Sequence, residues 1–266
     1  MTLDCLDIPT TYKSLANIFG VTTKEINSFI KSNVYRVSRE GIVWNYDKLT
    51  IHDILDHFEI ESDKIVFDYI VVHHVLAILD HASFDNQGIM SLKSLFTSEN
   101  AFKRFMAEFD IHLGVHSSGK LFIKLGSSEV STDYLEHRMQ KDQCVNGFLF
   151  GDNVEEDRNI SQMKRCPELV SHIGREVLRS SLIESEWISR STPSVLSFKV
   201  KLGEIDKSTF TEDIEEIQDV RTYFVKKAFE KLLFFRTFYP EDNHMIYLKE
   251  QVDIPASRIT NIREIM

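Results

Sequence analysis

The chain has 266 residues, 42% of them apolar and 11% aromatic with 19 Phe, which is enough to core one large or two smaller domains and excludes wholesale disorder. Its 10 Gly and 5 Pro exclude a collagen-like or linker-rich chain, and a formal charge of −10 weighs against a generic polyanion binder, whose phosphate contacts need Lys and Arg. Cys5, Cys144 and Cys166 have no C-x-x-C spacing and fit reduced thiols; with no charged and apolar leader and no run near the ~20 apolar residues a bilayer needs, the expectation is a soluble, cytoplasmic chain without membrane contact.

Residues 10–31 predict two short helices. Leu15, Ile18 and Phe19 share one face, Gly20 stops the first helix, and Thr22 with Glu25 three residues on is a capping box for the second. Ile26, Phe29 and Ile30 form the second apolar face. Two short helices joined by a glycine turn have the shape of a helix-turn-helix. Its outward residues are Lys24, Asn27, Ser28 and Lys31, a thin basic face that suits a partner-docking module better than DNA. Residues 33–44 read as a hairpin turning at Arg39-Glu40-Gly41, and Thr50 caps a short amphipathic helix over 49–58. The polar stretch 59–64 sets a boundary, giving an N-terminal module over 1–60 and a larger unit over 61–266.

The larger unit opens on a strand, Ile65 to Val72, that ends in His73-His74. Neighbours in a strand point to opposite faces, so only one of the pair can face a given pocket. Phe84-Asp85-Asn86-Gln87-Gly88 reads as a polar turn, and 91–108 as a helix broken near Thr97-Ser98 with Ser98 capping its second half. Strands follow at 111–113 and 121–125, then a polar helix over 132–141. The strand 144–150 carries Gly147 inside it, the mark of a bulge or a close backbone approach. An acidic loop covers 151–164, a helix starts at Pro167, and 194–202 alternates as a strand. The longest helix, over 213–235, places Ile217, Val220, Phe224, Ala228 and Leu232 on one stripe. Strands at 245–248 and 258–262, split by Val252-Asp253-Ile254-Pro255, end the chain. Strands and helices mix without a strict β-α-β rhythm, so the class is α+β.

Among chemical signatures, the ten histidines give no H-E-x-x-H, and there is no phosphate-cradling G-x-x-x-x-G-K, no G-x-G-x-x-G and no G-x-S-x-G. No metal site is expected. Glu241-Asp242 stand before the last strands, where a carboxylate can stabilise positive charge developing on a sugar carbon; Pro240-Glu241-Asp242-Asn243 is equally ordinary turn chemistry.

Taken in order, Val72-His73-His74-Val75-Leu76, Gly88-Ile89, Glu241-Asp242 ahead of Met245-Ile246-Tyr247-Leu248, and Ile254-Pro255-Ala256-Ser257-Arg258-Ile259 resemble the ADP-ribosyltransferase fold across residues 65–266. The resemblance implies a mixed split sheet and NAD as substrate. It implies that His74 fixes the adenosine-side ribose, that Gly88 shapes the adjoining turn, and that Glu241 or Asp242 is the catalytic acid. Arg138 and Arg165 would contact the pyrophosphate, since a guanidinium matches phosphate geometry. Leu76 departs from the family, standing where many members carry Thr or Ser, and no E-x-E or Q-x-E precedes the final strand. A protein of this kind with a small helical module in front would be a toxin, phage factor or bacterial defence effector that modifies a protein or nucleic acid and answers to an antitoxin or regulatory partner. The alternative is a non-enzymatic DNA- or partner-binding regulatory protein using its N-terminal helix-turn-helix.

Overall fold

The computed structural model describes residues 1–38, 49–141, 143–156, 160, 164–211, 214–234 and 243–265. Nine strands occur among them: β1 (Thr2–Leu3), β2 (Tyr69–Ile78), β3 (Ile111–Val115), β4 (Leu121–Leu125), β5 (Ser128–Val130), β6 (Asn146–Phe148), β7 (Thr192–Lys201), β8 (Met245–Tyr247) and β9 (Ile259–Glu264). The helices are α1 (Ile8–Phe19), α2 (Thr23–Ser38), α3 (Ile51–Phe58), α4 (His81–Gln87), α5 (Leu92–Thr97), α6 (Ala101–Ala107), α7 (Asp133–Lys141), α8 (Glu168–His172), α9 (Leu182–Arg190) and α10 (Ile217–Phe234), with a π-helical turn Ile173–Leu178 running on from α8. The class is α+β.

β2 organises the molecule. The main sheet runs β8-β6-β2-β7-β9, and β1 joins the same strand in parallel through Thr2↔Tyr69 and Leu3↔Ile70. β7 pairs with β2 along its full ten residues. β1 and β6 therefore share the other edge of β2, one along its first residues and one from His73 onward. β3, β4 and β5 form a separate antiparallel sheet.

Alternation gives β2 two unlike faces. Ile70 and Val72, with Leu196, Phe198 and Val200 of β7 and Ile246 of β8, pack into one continuous apolar cluster with the inner faces of α1, α2, α3 and α10. The inner faces of α1, α2 and α3 thus share their core with the last long helix. At its centre the Phe229 ring lies 5.6, 5.3 and 6.0 Å from those of Phe19, Phe29 and Phe58. The opposite face carries a small cluster of Val75, Phe148, Val154, Ile160, Val195 and Ile265. A third cluster gathers α5 to α9 and the small sheet around Trp187, whose ring meets Phe102 at 5.9 Å and Phe105 at 5.0 Å.

The N-terminal helices form where capping chemistry dictates. Asp7 is extended, and its carboxylate accepts from the Thr10 amide at 2.7 Å. Gly20 closes α1 at φ 67°, and Thr22 and Glu25 exchange backbone–side-chain bonds of 2.7 and 3.3 Å as the capping box requires. Asp7→Ala is expected to cost about 1 kcal/mol, measured as a shift in urea midpoint at unchanged slope.

Three sequence expectations are corrected. The hairpin at 33–44 is helical over 33–38, because α2 continues to Ser38; residues 39–44 lie outside the described residues. Ser32 and Asn33 donate back to Ser28 O and Phe29 O at 3.0 and 2.8 Å, and each further helical residue adds a backbone bond, which outweighs the strand preference of Val34 and Val37. The polar turn 84–88 is the end of α4, started by Asp80 accepting from the Ala82 amide at 3.0 Å and stopped by Gly88. The cap of α6 is Asn100, whose side chain accepts from the Lys103 amide at 2.8 Å, while Ser98 ends α5.

Candidate functional site

The two histidines of β2 have different fates. His73 is fully buried, its Nδ1 lies 2.9 Å from Ser197 Oγ, and its Nε2 has no partner among the described residues. Burial, and next the charge of Arg263, push its pKa down to about 4, so the ring is neutral at pH 7. His74 turns to the other face, beside Val72 and Leu76, and is half-buried. Its Nδ1 lies 2.7 Å from the carbonyl oxygen of Asn146. Burial lowers its pKa, with the Asn146 carbonyl working in the opposite direction. A carbonyl can only accept, so Nδ1 carries the hydrogen of the neutral ring and Nε2 keeps a lone pair. His74 is set to accept from a hydroxyl.

Gly88 sits against the chain end. At φ 71° it adopts a left-handed conformation, and a Cβ there would lie 1.9 Å from Ile254 O and 2.8 Å from Ala256 N. Ile89 and Ile254 exchange backbone bonds of 2.8 Å in both directions. Asp253 then holds the start of α5, accepting from the Ser91 amide at 2.6 Å and the Ser94 hydroxyl at 2.7 Å. Gly88-Ile89 and Ile254-Pro255, more than 160 residues apart in sequence, are thus one structural unit. Ile89 and Ile254 join the apolar cluster on which Leu76 packs.

Glu241 and Asp242 lie outside the described residues. The chain is described again from Asn243, whose side chain donates to Phe150 O at 2.7 Å and accepts from the Phe150 amide at 3.2 Å. His244 lies 3.3 Å from the Tyr223 hydroxyl through Nε2, and burial, then Lys227, push its pKa down to about 4. The registers His73↔Phe148 and Phe148↔Met245 set the first residue of β8 level with His73. The two strands are separated only by β6, roughly 10 Å in all.

The two arginines stand on other elements. Arg138 binds Glu168 at 2.5 Å and the Tyr134 hydroxyl at 2.9 Å, tying α7 to α8. Arg165 is exposed in the turn before Pro167. Both stand on the elements that build the Trp187 cluster, whereas His74 and Gly88 border the larger one. A shallow groove of about 220 Å³ lined by Phe67, Tyr69, Lys201 and Arg221 lies at the foot of β2, five residues or roughly 17 Å before His74.

Sequence reasoning missed three features. Ser197, the partner of His73, shows itself as a polar residue in an otherwise apolar stretch of β7. Lys231 is 6% exposed, three residues after Ala228 on the apolar stripe of α10, with Nζ 5.3 Å from the Phe150 ring centroid. Burial lowers its pKa against the pull of Asp152 and Cys5. The Asn146 carbonyl is a backbone group and leaves no signal in sequence. No group of three His, Cys, Asp or Glu among the described residues is placed to hold a metal ion, and no helix among them is long and apolar enough to cross a membrane.

His73 and His244 predict a pH dependence. Each is about 4 in the fold against 6.5 unfolded, so below 6.5 the unfolded chain binds more protons and stability falls as pH drops toward 4. The loss is on the order of 2–3 kcal/mol per histidine by pH 4. Urea melts between pH 7 and 4 should show it, and His73→Gln should flatten the slope.

These features define an α+β protein with a tautomer-locked histidine at the centre of a mixed sheet. Comparison with family models, curated proteins and solved structures gives no match.

Proposed function

We propose that this chain is an ADP-ribosyltransferase-like protein that takes NAD as substrate and modifies a macromolecule. The observation that supports it most is His74: a neutral imidazole whose Nδ1–H is committed to the Asn146 carbonyl offers Nε2 as the acceptor a ribose hydroxyl needs. The Gly88–Ile254 unit, bordering the same apolar cluster, suits the turn beside such a nucleotide. NAD supplies a bond from ribose carbon to nicotinamide nitrogen that breaks with its electron pair leaving on nicotinamide. Glu241 or Asp242, a few residues ahead of a strand level with His73, would stabilise the positive charge developing on that carbon and orient the acceptor, which is a protein or nucleic acid. Arg165 is exposed and suits the pyrophosphate; Arg138 would first have to leave Glu168. The helix-turn-helix alternative gains less, because the outer side of α2 combines Lys24 and Lys31 with Glu25, and its apolar side is buried.

The test is nicotinamide release from NAD by the purified chain, read by chromatography. Wild type is expected to release it. The pair Glu241→Gln and Asp242→Asn should lower kcat about 10²–10³-fold, and His74→Ala should act mainly through KM. Absence of release together with absence of thermal stabilisation by saturating NAD would refute the reading; ligand at 100 times Kd stabilises a fold by about 2.7 kcal/mol.

A further inference from the structure

On the face of the sheet opposite His74, a polar row crosses three strands. His73 of β2 stands beside Ser197 of β7, and Ser197 beside Asn261 of β9. Two residues along β9, Arg263 projects from the same face next to Val195. The segment 149–156 passes over this row. A Cβ on Gly151 would come within 3.1 Å of His73 Cε1, and Val154 is buried with Val75, Val195 and Ile265. Glu155 forks onto Arg263, its two oxygens 2.8 and 2.9 Å from the two terminal guanidinium nitrogens. Beneath the segment lies the Nε2 of His73, fully buried and without a partner among the described residues. Native folds rarely leave such a nitrogen unmatched.

We propose that residues 149–156 latch a second binding site, in which a small carboxylate displaces Glu155 from Arg263 and reaches His73 and Ser197. Glu155 is the template for the ligand: its fork on Arg263 is the bidentate geometry in which a guanidinium recognises a carboxylate. Arg263 is exposed, so an incoming anion meets it first. Ser197 Oγ can either donate to or accept from Nδ1 of His73, so Nε2 can serve as acceptor or donor for the far end of the ligand. Burial keeps that ring neutral at pH 7. The site is independent of the NAD reading, because His73 and His74 point to opposite faces.

Diethyl pyrocarbonate acylates unprotonated, accessible imidazole nitrogens, and peptide mass spectrometry resolves which histidine has reacted. In the near-isosteric Glu155→Gln chain, labelling of His73 is expected to rise about tenfold, the equivalent of losing 1.4 kcal/mol at the latch. His74 and His244 should keep their wild-type rates. Malonate added to that variant should protect His73 again, and should fail to do so when Arg263→Gln is added. A His73 rate that stays at the wild-type value, or that rises together with those of His74 and His244, overturns the latch. Malonate that protects not at all, or equally with and without Arg263, overturns the site.

Discussion

Gly88→Ala is expected to cost about 2–5 kcal/mol, a sum of strain and overlap. Its φ of 71° is one that residues with a Cβ rarely adopt, which costs about 1–2 kcal/mol. The added carbon would also start 1.9 Å from Ile254 O and 2.8 Å from Ala256 N, both main-chain atoms that cannot swing aside as a side-chain tip could. Relieving that overlap means pulling apart the paired bonds between Ile89 and Ile254, and with them the carboxylate of Asp253 that starts α5; overpacking of this kind typically costs about 1–3 kcal/mol more. Urea denaturation measures the effect, which corresponds to a Tm lowered by roughly 10 °C. A loss below about 1 kcal/mol would show that Gly88 and the Ile254 segment do not meet as described.

Phe229→Ala is the second large effect. The Phe229 ring touches Phe19 of α1, Phe29 of α2 and Phe58 of α3 at once, so truncation opens a cavity where four helices converge. Fully buried Phe→Ala changes cost about 3–5 kcal/mol. Since α1, α2 and α3 bury their apolar faces on α10, the loss should spread: amide exchange in these three helices should accelerate together, while β3, β4 and β5, cored around Trp187, should stay protected. Exchange that quickens only within α10 would mean that the N-terminal helices hold together without it.

How much of this could be read in the sequence depends on the range of the interaction. Elements fixed by neighbours were legible: Gly20 and the Thr22–Glu25 box end and start helices within four residues, and Val220, Phe224, Ala228 and Leu232 mark the buried stripe of α10, whereas Ile217, expected on the same stripe, is exposed at the start of the helix. Elements decided by competition were not. Val34, Tyr35 and Val37 favour a strand locally, but α2 extends through them, because each residue added to an existing helix adds a backbone bond. The site divides in the same way. His73-His74 at the end of an apolar run marks the central strand, and strand geometry forces the pair onto opposite faces. Which of them is sealed depends on Ser197, 124 residues away, and on Gly151; which is tautomer-locked depends on a carbonyl at Asn146 that any residue would supply. Arg138 illustrates the limit from the other side: its charge was visible, but its partner Glu168 comes from another helix.

On the proposed reading, His74 presents Nε2 as the acceptor for the ribose of NAD. The most direct measurement is ¹⁵N NMR of the chain labelled at histidine, with His74 assigned by substitution and NAD titrated in. The His74 Nδ1 resonance is expected to be that of a protonated nitrogen and to stay so, while Nε2 begins as an unprotonated nitrogen and moves upfield as it accepts a hydrogen bond. An Nε2 that carries the proton from the start, or one that does not move at saturating NAD, would contradict it.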